Sequence, residues 1–120
     1  MRVPKTKTKD FILNLNVYRN THYQTLNKVK INYKEAVKPQ IAKLPKYGKI
    51  ALVFTLYPKT RLLTDISNVC SIHDKFFCDA LVEFGKIEDD NYKFVPEITY
   101  RIGHVDKENP RVEIEIKEIL

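Results

Sequence analysis

The sequence predicts a single α+β domain over residues 1–120, with one sheet covered by two helices in the order β-α-β-α-β-β. Three observations predict this class. The chain has 120 residues, the length of one ordinary domain. Four segments have strand-like patterns, three alternating between apolar and polar side chains and one almost continuously apolar. Two other segments repeat apolar side chains every three or four residues, as amphipathic helices do.

The N-terminal part of the chain is predicted to hold a basic arm, a strand and a helix. Residues 1–9 are rich in lysine and poor in apolar side chains, which indicates a flexible arm. Every second residue from 11 to 17 is apolar, the pattern of a half-buried strand. Apolar residues then recur with helical spacing from Thr25 to Leu44, and Pro39 is expected to kink or end this helix near Lys38.

The rest of the chain predicts one buried strand, one helix and two alternating strands. Residues 50–57 are apolar on both alternations, which favours a strand buried on both faces at the centre of the sheet. Asp65 or Ser67 can cap the next helix, and Gly85 can end it. Two strands with alternating side chains follow, and the stretch 103–110 between them predicts a hairpin.

Composition and cysteine content exclude several classes of protein. Three glycines and six prolines exclude a collagen-like or linker-like chain. No apolar run is long enough to span a membrane, and the first residues do not resemble a signal peptide, so we expect a cytoplasmic protein. Cys70 and Cys78 make neither a disulfide framework nor a metal-binding motif.

The net charge of +6 is distributed unevenly along the chain. Residues 1–60 contain thirteen Lys/Arg and two Asp/Glu, a net charge of +11. Residues 61–120 contain eight Lys/Arg and thirteen Asp/Glu, a net charge of −5. The basic half favours a polyanionic partner, because lysine and arginine neutralise phosphates and release counterions. The alternative is that these lysines only keep the surface soluble.

Polar side chains gather on one face of the second predicted helix. Asn68, Lys75 and Asp79 fall together on this face with Asp65 adjoining, whereas Asp74 points away from Asp65. Carboxylates on such a face could hold Mg²⁺, which binds oxygen ligands and promotes phosphodiester cleavage. The alternative is a solvated face with a Lys75–Asp79 ion pair.

Two expectations about this helix depend on how the chain folds around it. Asp90 follows the helix and would join Asp65 only if the Glu88–Asn91 turn folded back toward the start of the helix. His73 falls on the apolar face, where a core histidine with satisfied hydrogen bonds is expected rather than a catalytic one.

Several stretches together resemble a known family. The most distinctive are Asp65-Ile66-Ser67-Asn68, Asp74–Glu83, Gly85 and Glu88-Asp89-Asp90-Asn91-Tyr92, with weaker support from Asn16, Tyr18, Arg19, His22-Tyr23 and the closing Val112–Ile116. In these residues the chain resembles the RusA family of Holliday-junction resolvases, above all its phage-borne members. The resemblance covers nearly the whole chain.

The resemblance implies a homodimer that binds four-way DNA junctions in a bacterial or phage-infected cell. It implies that the dimer makes paired nicks during recombination and repair. These nicks depend on Mg²⁺, which Mn²⁺ could replace. The resemblance also implies that Asp65, Asp90 and Lys75 are catalytic and that Asp65 and Asp90 hold the metal. Asp79, which fits the polar helix face better than Asp74, is the candidate for a third ligand. The candidates for contacts to DNA are then Arg19, Lys28, Lys30, Lys34 and Lys59 of the basic half, together with Arg61 and Asn68, which follow it.

The chain departs from the family pattern in one important respect. The second aspartate of the family's D-x-D-N motif is Ser67 here, and the interval from Asn68 to Asp79 is about one helical turn longer than usual. The third metal ligand therefore stays open between Asp79 and Asp74. Two other functions stay open as well: a non-catalytic nucleic-acid-binding protein that has lost a ligand, and a small interaction or structural protein with a basic face.

Overall fold

The structure is a computed structural model, and it describes residues 2–4, 10–12, 19, 22–63 and 65–119. Its elements are β1 (Arg2–Pro4), β2 (Asp10–Ile12), α1 (Tyr23–Ala42), β3 (Lys49–Tyr57), α2 (Ile66–Glu83), β4 (Glu97–Ile102) and β5 (Arg111–Ile119). The α+β class is confirmed: a three-stranded mixed sheet packs with two helices.

The N-terminal predictions fall mostly outside the described residues. Residues 2–4 of the predicted arm form β1, which pairs antiparallel with β2 apart from the main sheet. Residues 5–9 of the arm, and residues 13–17 of the predicted first strand, lie outside the described residues.

The main sheet has the order β4-β3-β5, with β4 parallel and β5 antiparallel to β3. The prediction that β3 is central is therefore confirmed, but the predicted hairpin between β4 and β5 is wrong, because these strands flank β3 on opposite sides. A hairpin would have left β3, the most apolar strand, at the edge of the sheet. Instead β3 pairs with β5 over residues 49–57 and with β4 over residues 51–56.

The two faces of β3 are buried in different ways. Four side chains on one face enter the hydrophobic core beneath the helices: Ile50, Leu52, Phe54 and Leu56. Ala51 and Val53 are buried on the other face, although they lie outside that core. The pairing register places Ala51 between Glu97 on β4 and Lys117 on β5. Long side chains of opposite charge therefore flank a small apolar centre and shield it from water.

Helix α1 buries four side chains, each three or four residues from the next: Val29, Tyr33, Val37 and Ile41. It continues through Pro39 to Ala42, so the expected stop near Lys38 is wrong. Pro39 is exposed and lies in the last turn, where it removes a single backbone donor, whereas burial of Ile41 holds that turn on the core. In the described part of the chain, no helix is long and apolar enough to cross a membrane.

The bounds of α2 agree with the sequence signals. Asp65 is the N-cap, and its side chain accepts a hydrogen bond from the backbone N–H of Ser67. The chain leaves the helix through Gly85 at a φ of 73°, a left-handed conformation that glycine adopts without a Cβ clash. His73 is in the core, as expected, and its side chain is 1% exposed. The expectation that its hydrogen bonds are satisfied is wrong, because its Nε2 has no hydrogen-bond partner among the described residues.

Candidate active site

An open pocket of about 420 Å³ lies between α2, β4 and the turn that follows α2. Its lining consists of Ser71, Ile72, Asp74, Lys75 and Cys78 from α2, Asp90 from the turn, and Ile98 and Tyr100 from β4. The fold thus brings two carboxylates and an ammonium group to one concave surface. Titratable side chains that converge in a cleft are candidates for a catalytic site.

The turn that carries Asp90 is held by its own hydrogen bonds. The carbonyl of Asn91 accepts from the backbone N–H groups of Phe94 and Val95, at 3.0 and 2.9 Å. The Asn91 amide donates to Asp89 at 3.1 Å, and Asp89 also accepts from the backbone N–H of Asp90 at 2.7 Å. Because Val95 is buried, the turn is anchored to the core, and Asp90 has a defined position facing α2.

Asp74 is held from two elements. The Tyr100 hydroxyl of β4 donates to its Oδ2 at 2.8 Å, and the Cys78 thiol, one turn along α2, donates to its Oδ1 at 3.2 Å. Burial raises the pKa of both Tyr100 and Cys78, and the hydrogen bond to Asp74 raises them further. Both groups therefore stay protonated donors at neutral pH, and Asp74 is their common acceptor.

Asp90 lies among other carboxylates. Burial raises its pKa above the usual range, and a hydrogen bond with Asp89 and the charges of Asp79 and Asp89 raise it further. Asp79 therefore acts on the site through its charge, although it does not line the pocket. Excess negative charge of this kind favours a bound cation and is typical of functional carboxylates.

Asp65 is separate from this pocket. From Asp65 to Asp74 the helix advances about 13 Å at 1.5 Å per residue. Asp65 Oδ1 accepts from both the backbone N–H and the hydroxyl of Ser67, at 3.1 and 2.9 Å. Ser67 thus donates twice to Asp65 and ties its carboxylate to the helix cap. The Glu88–Asn91 turn packs against the middle of α2 and not against its start.

The donor set of the pocket fits a magnesium ion held by two carboxylates. Among residues 22–63 and 65–119, no three acidic, histidine or cysteine side chains lie close enough together to form a metal site. The expected trio of Asp65, Asp79 and Asp90 is therefore not gathered. Mg²⁺, however, commonly takes one or two protein carboxylates and completes its shell with water and substrate phosphate. Asp74 and Asp90 are the two carboxylates that line the pocket.

The basic candidates occupy two regions. Lys59 and Arg61 are exposed in the loop between β3 and α2, where Thr60 forms a local turn by accepting from the Leu62 N–H. On α1, Lys28 is exposed and Lys30 is half-buried, whereas Lys34 lies 3.4 Å from Glu83 on α2. Of the remaining two, Arg19 is exposed and Asn68 is half-buried on α2.

A larger cavity, of about 850 Å³, runs between the two helices and β5. Its floor is mainly apolar and includes Tyr33, Ile41 and Phe77, with His73 as the buried polar group. Arg111, Glu113 and Glu115 of β5 also line this cavity, and no aspartate among the described residues does.

Comparison with family models and with curated proteins gives no match for this chain. Sequence reasoning assigned Lys75 and Asp90, which line the smaller pocket, and left Asp74 open as a ligand. It missed Tyr100, because no short-range pattern links a strand tyrosine to a helix aspartate 26 residues earlier.

Proposed function

We propose that this chain is a divalent-cation-dependent endonuclease that nicks branched DNA, such as the four-way Holliday junction, in the cytoplasm during recombination and repair. The observation that carries the proposal is the convergence of Asp74, Lys75 and Asp90 on one open pocket. The resemblance to RusA in the same stretch of sequence supports it independently.

Phosphodiester hydrolysis adds a water oxygen to phosphorus and breaks one P–O bond, and the leaving oxygen takes up a proton. Mg²⁺ or Mn²⁺, held by Asp74 and Asp90, would supply charge neutralisation and a more acidic water. Lys75 places its ammonium group beside the phosphate and stabilises the negative charge that grows in the transition state. Asp65 takes a structural role at the cap of α2, and Asp79 adds negative charge near Asp90.

DNA binding in this proposal depends on the basic half of the chain. Lys59 and Arg61 are exposed in the loop that leads into α2, and Lys28 is exposed on α1. Contacts of these side chains with phosphates position a duplex without reading its sequence, so the shape of the junction dominates selection. A homodimer carries two such pockets, one for each of the paired nicks.

The test is incubation of the purified chain with a synthetic four-way junction and a linear duplex, in Mg²⁺ or in EDTA. We expect cleavage of the junction in Mg²⁺ only. Asp90→Asn, which removes a charged oxygen ligand with little change of shape, should lower cleavage by at least about a hundredfold and leave junction binding intact. Glu108→Gln, an exposed carboxylate outside the pocket, is the control.

The other outcomes assign the other functions. Full cleavage by Asp90→Asn would remove the pocket as the active site. Junction binding without any cleavage in Mg²⁺ would favour the non-catalytic nucleic-acid-binding protein. Absence of salt-sensitive DNA binding would favour the interaction protein.

A further inference from the structure

Both oxygens of the Asp74 carboxylate are engaged by hydrogen bonds from this chain. Each of its two oxygens accepts one hydrogen bond, Oδ2 from Tyr100 at 2.8 Å and Oδ1 from Cys78 at 3.2 Å. The two donors come from different elements, so the plane of the carboxylate is set both by the helix and by the sheet. Each oxygen has also used part of its capacity to accept.

Tyr100 is itself a rigid donor. It is paired with Phe54 in the register of β3 and β4, and the two rings contact edge to face at 5.8 Å between centroids. Phe54 is fully buried at the centre of the sheet. The hydroxyl of Tyr100 therefore projects from a strand that cannot shift without disturbing the core, and it fixes Asp74 from that side.

We propose that Tyr100 is the positioning residue of Asp74, and that the hydrogen-bonded set Tyr100–Asp74–Cys78 makes the pocket prefer Mg²⁺ over Ca²⁺. This inference rests on the proposed function. Ca²⁺ often takes both oxygens of a carboxylate in a large and flexible shell, whereas Mg²⁺ takes single oxygens in a strict octahedron. A carboxylate with both oxygens engaged and its orientation fixed suits the smaller ion. Partners of this kind orient a ligand and contribute strongly to metal affinity.

The experiment measures cation binding to the full chain without DNA. Free Mn²⁺ is followed by its electron paramagnetic resonance signal, and Mg²⁺ or Ca²⁺ competes for the site, which gives both affinities. Tyr100→Phe keeps the ring against Phe54 and removes only the donor. Tyr33→Phe is the matched control. Tyr33 is a buried tyrosine of α1 whose ring packs on Phe76 of α2, the helix that carries Asp74, with 5.4 Å between the ring centroids.

We expect Tyr100→Phe to bind Mg²⁺ roughly tenfold more weakly, the lower end of the effect of losing such a partner. Ca²⁺ affinity should hold or rise, so the Mg²⁺/Ca²⁺ preference should fall by about tenfold. Tyr33→Phe should keep the wild-type preference. Cys78→Ser, which retains a donor, should stay closer to wild type than Cys78→Ala.

An unchanged Mg²⁺/Ca²⁺ preference in Tyr100→Phe would overturn the positioning role. An equal loss of Mg²⁺ and Ca²⁺ affinity would overturn it as well, because such a loss indicates a less ordered pocket rather than a reoriented carboxylate. Either result leaves the proposed function standing as long as the wild-type chain binds Mn²⁺ and Asp90→Asn does not. A wild-type chain that leaves the free Mn²⁺ signal unchanged would overturn the cation-dependent function, and the inference with it.

Discussion

Acid should destabilise this protein through His73. The side chain is 1% exposed, its Nε2 has no hydrogen-bond partner in the described part of the chain, and burial lowers its pKa from 6.5 to about 3. The unfolded chain therefore binds a proton as pH falls below 6.5, whereas the folded chain does not until about pH 3. Stability conferred by the neutral imidazole is present above this window and is lost as pH falls through it.

The loss can be worked out from the two pKa values. Each pH unit inside the window costs about 1.4 kcal/mol, so the free energy of unfolding should fall by roughly 2.5 kcal/mol between about pH 7.5 and about pH 4.5 from this residue alone. Domains of this size are stable by only about 5–15 kcal/mol, so the effect is large enough to measure.

Urea unfolding of wild type and His73→Phe at several pH values isolates this term. Phenylalanine keeps a flat ring, removes the titration and removes the unpaired nitrogen; the adjacent cavity gives it room. The stability of His73→Phe relative to wild type should increase steadily as pH falls. His104→Gln is the control for loss of an exposed histidine. A difference between His73→Phe and wild type that does not depend on pH would refute the reasoning.

Three further predictions concern the candidate active site, the proposed binding of DNA and the sheet. Lys75→Met keeps the stem and removes the charge, so single-turnover cleavage should fall by about two orders of magnitude with near-normal melting temperature and junction binding; unchanged cleavage would return Lys75 to a solvated surface. Junction affinity should fall with salt at a slope on the order of −0.9 per neutralised phosphate, and a flat plot would contradict binding through phosphates. In Gly103→Ala the new Cβ would lie 2.5 Å from a carbon of the Tyr57 ring. The ring centroid lies 5.0 Å from that of His104 and 4.1 Å from the Cζ of Arg111, so the ring has neighbours on these sides. Denaturant unfolding should therefore show a loss of about 1–3 kcal/mol in the free energy of unfolding, and wild-type stability would mean that the ring moves aside.

Local signals in the sequence were enough to predict most of the elements. Gly85 as the exit of α2 follows from the chemistry of glycine, and Asp65, the cap, was one of two candidates beside Ser67. The centrality of β3 follows from apolar side chains on both of its faces. Pro39 was misjudged because propensity ignores what tertiary burial of Ile41 adds to the last turn of α1.

The pairing of strands and the composition of the pocket depend on contacts that no local pattern encodes. Alternation shows that β5 is a strand, but not whether it joins β4 or β3. The helical wheel grouped Lys75 with Asp79, whereas the pocket is lined by Lys75 and Asp74 and not by Asp79. The wheel could not show where β4 and the turn of Asp90 would lie. Lys75 and Asp90 were found through a resemblance, and Tyr100 only through the fold.

The order of strands has a consequence for how the protein is made. Tyr57 pairs with Arg111, and Lys49 pairs with Ile119. The ribosome therefore synthesises β5, one partner of the central strand β3, more than fifty residues after β3. During that interval the most apolar strand of the molecule has one open backbone edge, which is the feature that invites pairing with another nascent chain. Contacts so distant in sequence also slow folding. Expression on the ribosome should therefore be the stage at which this protein most needs a chaperone, and a chain cut before Arg111 should aggregate rather than fold partially.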